Sequence, residues 1–141
     1  GPPDLPEPLR RQRQMVIRDR SLGIVVVSHV PEIAAGIQRL LGQVAQDVSI
    51  TIAGGTDDNQ VGTSLTKITQ AFDANHADEL LAFYDLGSAK MNLEMAIEMS
   101  DKTVHLYDTA LIESAYTAAS LLQAAVPLAD VEAQLAPLKI K

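Results

Sequence analysis

The side chains best placed to do chemistry in this sequence are His29 and Asp85, each standing just after an apolar run. A neutral imidazole is a nucleophile. A carboxylate that accepts its Nδ1–H leaves Nε2 free to attack and stabilises the cationic ring that develops during group transfer. Asp85 is the expected partner in that role. Three further clusters, Gly54-Gly55, Gly62-Thr63-Ser64 and Gly87-Ser88, sit where strand-like runs end or helical ones begin. Glycine lets a backbone come close to a ligand, and a helix N-terminus aims N–H groups and a positive dipole end at an anion. Gly54, Gly55, Thr63, Ser64, Gly87 and Ser88 are therefore expected to line a phosphoryl site. The set contains no Lys or Arg, which suits a phosphoryl group held briefly on His29 better than a permanently bound nucleotide. Asp108-Thr109 falls in the same class of position, where Asp108 serves equally well as the cap of the next helix.

These groups need a scaffold that brings them together. Gly23-Ile24-Val25-Val26-Val27-Ser28 is a β-branched apolar run of the kind found in a strand buried on both faces. Pro31 then opens a helical pattern reaching about Ala45, with proline in the first turn where a missing N–H costs nothing. Further strands are expected over 47–53, 80–84 and 103–107. Helices are expected after Thr63 or Ser64 (with Leu65, Ile68 and Phe72 on one face), from Gly87-Ser88, over 111–125 and over 128–135. The order βαβαβαβα implies an α/β fold, an open parallel four-stranded sheet of expected order 2-1-3-4 with helices on both faces. In such sheets ligands bind at the carboxyl edge of the strands. A histidine in an arbitrary loop more often just bonds its own loop; this location evens the balance for His29.

Other positions read as structural. His76 lies in a helix-to-strand connection and is expected on the surface, and His105 reads as a packed, hydrogen-bonded strand residue. Asp57-Asp58 reads as a solvated turn. Met91, Met95 and Met99 recur at fourfold spacing, which predicts a core-facing stripe on their helix. No Walker A loop, G-x-G-x-x-G or G-x-S-x-G motif is present, and the three histidines lack ligand spacing, so no metal site is expected.

Composition bounds the rest. The 141 residues suffice for one domain with a real core, and 47% of them are hydrophobic but only 4% aromatic. No cysteine occurs, which excludes disulfides and thiolate chemistry and fits a reducing cytoplasm. No run is long enough to span a bilayer and no signal peptide is evident, so no membrane partner is expected. Residues 1–20, with their early prolines and five arginines, read as a disordered or appended leader ahead of a folded domain over 21–141. The net charge of −7 hides an asymmetry: the leader carries +2 and the rest −9. That acidic body argues against nucleic acid and is compatible with a basic protein surface.

With these residues in place, the chain resembles the mannose-type IIA family of the bacterial phosphotransferase system, and within it the branch serving phosphoenolpyruvate-dependent dihydroxyacetone kinases. The matching stretches are Gly23–His29, Gly54-Gly55 followed by Gly62-Thr63-Ser64, Asp85-Leu86-Gly87-Ser88-Ala89-Lys90-Met91-Asn92-Leu93-Glu94, and Leu111-Ile112-Glu113 followed by Ala115. The Asp-Leu-Gly-Ser-Ala-x-Met-Asn stretch is the specific one. The resemblance implies that His29 accepts a phosphoryl group on Nε2 from phospho-HPr, with Asp85 orienting the ring. It implies transfer onward to ADP on the L subunit of the kinase, which works with a K subunit that binds dihydroxyacetone. ADP and magnesium then belong to the partner and no cofactor is held permanently here. It implies a homodimer as well.

The chain departs from the family pattern at several points. Asp57-Asp58-Asn59-Gln60 lacks a glycine common before the Val61-Gly62-Thr63-Ser64 turn, Val30 replaces a small polar residue, Ala110 a proline and Ser114 a glycine. None removes a reacting group. Some relatives fuse HPr-like and enzyme I-like domains behind this one; here the donors are expected to be separate proteins. The alternatives are the IIA domain of a mannose-type sugar transporter, which hands the group to a IIB domain, and a non-catalytic regulatory α/β module. The Asp85–Asn92 stretch and a final helix favour the kinase branch over the first. The lack of a receiver-like acidic cluster weighs against the second.

Overall fold

The computed structural model describes residues 22–141, so the leader read over 1–20 lies outside it. Four parallel strands, β1 (Leu22–Ser28), β2 (Ile50–Gly54), β3 (Glu79–Tyr84) and β4 (Thr103–Tyr107), form one sheet in the order β2-β1-β3-β4. Between and after them run α1 (Pro31–Gly42), α2 (Leu65–Ala74), α3 (Ala89–Met99), α4 (Leu111–Gln123) and α5 (Leu128–Leu135). The expected fold class and strand order are both borne out.

Every residue of β1 is buried, because this strand has a neighbour on each side and helices on each face. Its side chains alternate between two cores. Ile24 and Val26 join Leu81 and Phe83 under Ile37 and Leu41 of α1, the alanines and Leu122 of α4, and Val131 and Leu135 of α5. Val25 and Val27 join Leu80, Ala82 and Tyr84 under Ile68 and Phe72 of α2 and Ala89, Leu93 and Ala96 of α3. Register aligns the carboxyl ends: Ser28 pairs with Gly54, Val27 with Tyr84 and Phe83 with Tyr107.

Boundaries move by a few residues from those read off the sequence. The first helix stops at Gly42, and the chain up to Ala45 continues as turns whose N–H groups fold back onto Leu40 and Leu41. The second strand begins at Ile50 rather than 47, because the Asp47 N–H is taken by Gln123 and the Val48 N–H by the Ala45 carbonyl. The fourth helix ends at Gln123, with Ala125 just beyond at φ 60°.

The methionine stripe is a correction. Met91, Met95 and Met99 are 72, 45 and 64% exposed. The face of α3 that meets the sheet is Ala89, Leu93 and Ala96, all fully buried. The methionines recur at the same spacing on the opposite side of the helix.

Gly54 and Gly55 have a packing reason that concerns α1. A Cβ at Gly54 would stand 2.6 Å from Pro31 Cα, and Gly55 adopts φ +76° with Pro31 against it. The two glycines let the start of α1, just after His29, press onto the end of β2.

Candidate functional site

His29 occupies the tight turn from β1 into α1, where its carbonyl accepts the Gly62 N–H at 2.8 Å. Asp85 follows β3, whose end lies beside the end of β1 because Asp85 N–H donates to the Val27 carbonyl. Residues 56 positions apart in sequence thus meet across the two central strands. His29 Nδ1 stands 2.8 Å from Asp85 Oδ1, with side chains 13 and 19% exposed. Asp85 Oδ2 accepts the His29 main-chain N–H at 3.0 Å and the Ser28 hydroxyl at 2.7 Å. Its Oδ1 also accepts the Leu86 N–H at 2.7 Å.

Electrostatics follow from this geometry. Burial pushes the Asp85 carboxyl up, but the His29 main chain and ring, the Ser28 hydroxyl and the Leu86 N–H outweigh it. The pKa is held below the ordinary 3.8. An ionised carboxylate only accepts hydrogen bonds, so His29 Nδ1 carries a proton, and in the neutral ring Nε2 presents its lone pair. Ser88 Oγ lies 2.7 Å from that Nε2, within reach to donate to it when the ring is neutral.

The remaining expected site residues divide. Ser88, exposed on the turn into α3, reaches His29 Nε2, and Gly87 beside it has open space over its Cα. Thr63 accepts a hydrogen bond from Asn92 Nδ2 at 2.9 Å, tying the start of α2 to α3. The Ser64 hydroxyl is committed to the scaffold: it caps α2 by accepting the Lys67 N–H and donates to Asp57 in a very short bond. Gly55 donates its N–H to the Ser28 carbonyl at 3.0 Å. Asp57 and Asp58 hold their loop from within, Asp58 accepting from Thr56 Oγ1 at 2.6 Å.

Asp108 neither caps a helix nor touches His29. It accepts the Tyr84 phenol at 2.5 Å and Lys90 Nζ at 3.0 Å. Ala110 is the N-cap of α4, without a side-chain bond. Burial followed by the Asp108 contact pushes the Tyr84 phenol far up, while the Tyr84 hydroxyl and Lys90 outweigh burial at Asp108 and hold its carboxyl low. Thr109 is buried, and its Oγ1 finds no partner among the described residues. His76 is exposed and His105 Nε2 pairs with Glu79 at 2.6 Å, both as read from the sequence.

Sequence reasoning missed Ser28, whose hydroxyl bridges Asp85 and the Val30 N–H. A polar residue ending an otherwise apolar buried strand was the available signal. It also took the carboxyl edge to lack cations, whereas Lys141 Nζ lies 3.1 Å from the Asp85 carbonyl and Lys90 pairs with Asp108.

Fold and site together define a small open-sheet α/β domain built around a histidine that a carboxylate orients at the carboxyl edge. The chain belongs to the family described as the PTS system fructose IIA component, whose model matches residues 23–132. It is 44% identical over 119 residues to the phosphotransferase subunit DhaM of the PTS-dependent dihydroxyacetone kinase of Lactococcus lactis subsp. lactis (strain IL1403), covering 84% of this chain and 97% of that one. To the phosphoryl donor subunit DhaM of the PEP-dependent dihydroxyacetone kinase 1 of Listeria innocua serovar 6a it is 40% identical, covering 84% and 96%. The crystal structure of a protein of unknown function, EF1359, superposes with a TM-score of 0.73 at 30% identity, covering 85% of this chain and 96% of that one. A sigma-54 interaction domain protein from Enterococcus faecalis shares the fold, with a TM-score of 0.61 at 13% identity, covering 81% and 87%. The family match bears out the resemblance read from Gly23–His29 and Asp85–Glu94.

Proposed function

We propose that this chain is the phosphoryl-carrying subunit of a phosphoenolpyruvate-dependent dihydroxyacetone kinase, with His29 as carrier. The observation that supports it most directly is the division of the imidazole: Asp85 takes Nδ1, and Nε2 faces out beside Ser88. The Nε2 lone pair attacks the phosphorus of phospho-HPr, and the P–N bond to the donor histidine breaks with its electron pair returning to that nitrogen. The ring keeps its Nδ1 proton and becomes cationic, which the Asp85 carboxylate stabilises. The Ser88 hydroxyl, displaced from Nε2, turns to donate to a phosphoryl oxygen. In the second step an oxygen of the ADP β-phosphate attacks the same phosphorus, the bond to Nε2 breaks and ATP forms on the L subunit. The K subunit then uses that ATP on dihydroxyacetone. Nucleotide and magnesium reside on the partner.

Thr63 and Gly87, at the starts of α2 and α3, fit the role of phosphoryl-binding groups alongside Ser88. Gly54, Gly55 and Ser64 support the site by shaping its loops. A cytoplasmic homodimer belongs to the same proposal. The cysteine-free sequence fits a reducing compartment, and the exposed methionine strip of α3 offers apolar surface to a second copy. No helix among the described residues is long and apolar enough to cross a membrane.

The test is to incubate the chain with phosphoenolpyruvate, enzyme I and HPr, then add the L subunit loaded with ADP. Acid-labile label on His29 that discharges to ATP is the expected result. Label that forms but passes only to a IIB domain would favour the sugar-transport branch. No label would return the chain to a regulatory role.

A further inference from the structure

Beyond α5 and a short 3-10 turn (Ala136–Leu138) the chain returns to the carboxyl edge of the sheet. Lys139 bridges antiparallel to Thr109, and the N–H groups of Ile140 and Lys141 both point to the Asp108 carbonyl, at 3.2 and 3.4 Å. That return lays the Lys141 side chain across the ends of β3 and β4. Its Nζ stands 2.7 Å from the Tyr84 carbonyl, 3.1 Å from that of Asp85 and 2.7 Å from that of Thr109, and 4.4 Å from the centroid of the Tyr84 ring.

An ammonium has three N–H groups, and each here meets a main-chain carbonyl. A surface lysine that served solubility would leave them to water. Two of the three acceptors belong to Tyr84 and Asp85, the residues that carry β3 into the site, and the third fixes the β4 end beside them. Burial lowers the Lys141 pKa, and the nearby carboxylates of Asp85 and Asp108 oppose that fall.

We infer that Lys141 is a positioning residue for phosphoryl transfer, an ammonium clamp that fixes the main chain from which the Asp85 carboxylate reaches His29. The inference rests on His29 being the phosphoryl carrier. Lys141 touches neither the reacting nitrogen nor the phosphoryl group; it acts through Asp85. When the clamp is lost, the Asp85 carbonyl is free to rotate and its side chain no longer holds the ring in a single tautomer. Transfer chemistry is sensitive to that, because a displacement near 1 Å costs up to about a hundredfold in rate.

The experiment uses the full chain with Lys141→Met, which keeps the aliphatic stem over Tyr84 and removes the donors. The rate of transfer from phospho-HPr is expected to fall by about tenfold, with its KM unchanged, as befits a defect in chemistry rather than docking. Nitrogen-15 spectra of the imidazole are expected to change from a ring protonated at Nδ1 to a mixture of tautomers. Lys141→Arg keeps the charge but meets the carbonyls with a planar fork, and is expected to fall between the two. A Lys141→Met chain with wild-type transfer and a wild-type tautomer overturns the inference, whatever its melting temperature. Should that variant fail to fold, the same result in Lys141→Arg overturns it. Failure of the wild-type chain to take label would instead strike the carrier assignment, and the tautomer comparison still reads the clamp.

Discussion

Asp85 grips His29 both by the ring and by the main chain: Oδ1 lies 2.8 Å from Nδ1 while Oδ2 lies 3.0 Å from the His29 backbone nitrogen. The second bond fixes the turn that carries the imidazole, and the first fixes the ring upon it. Ser28 and the Leu86 N–H complete the carboxylate's shell, so the carboxylate itself has little freedom to turn. The imidazole is oriented by the fold itself, so in the proposed transfer the cost of ordering it falls on folding rather than on the reaction.

Removing the imidazole separates chemistry from stability. His29→Ala is expected to abolish phosphorylation while costing about 1 kcal/mol or less in stability, since it deletes a loop side chain and no core volume. Comparable acid-labile label on the variant would refute the site.

Asp85→Asn keeps the shape and loses the charge. The amide no longer secures the Nδ1–H tautomer or balances a cationic ring, so transfer is expected to slow by about a hundredfold or more without vanishing. Single-turnover labelling from phospho-HPr measures this, and an unchanged rate would remove Asp85 from the mechanism.

The two low carboxylates predict an acid limb in stability. Asp85 and Asp108 both titrate below 3.8 in the folded chain, so below that value the unfolded chain binds more protons than the native one. Their contribution is fully present above pH ~4 and is lost as pH falls through the lowered values. Chemical denaturation at stepped pH should show it. Asp85→Asn should flatten the slope in that window, and a slope equal to wild type would show that Asp85 contributes nothing to it.

Ser114 marks a place where stability can rise. It is fully buried in α4, and its hydroxyl has no partner among the described residues. Ser114→Ala removes that hydroxyl and improves helix propensity, so a gain of about 1 kcal/mol is expected. Thermal unfolding measures it, and a loss of stability would point to a partner for the hydroxyl.

The sequence made much of this architecture legible, for identifiable reasons. A β-branched run ending in Ser28-His29 and a second apolar run ending in Asp85 mark strand ends, and parallel topology then forces those ends to one edge. Thr63 or Ser64 reads as a cap because a hydroxyl before an amphipathic run has few other uses, and Ser64 is the one that caps α2. What stayed hidden depends on tertiary return. Lys141 reaches Asp85 from 56 residues away only because the tail folds back beside Asp108. The Met91–Met95–Met99 spacing announces an apolar helix face, but periodicity does not say which of two faces meets the sheet. Ala89, Leu93 and Ala96 hold that place.

The seam between β1 and β3 carries a kinetic consequence. These strands are neighbours in space but not in sequence, since the chain makes β2 and crosses back before β3 can pair. His29 leaves the seam toward α1 on one face of the sheet, and Asp85 leaves it toward α3 on the other. A nascent or partly folded chain holding only β1 and β2 therefore owns the histidine without its carboxylate. Under the proposed carrier role, competence to take a phosphoryl group requires the long-range pairing of β1 with β3 that completes the sheet. Label on His29 would in that sense report finished folding, and an unfinished subunit would stay silent in the relay.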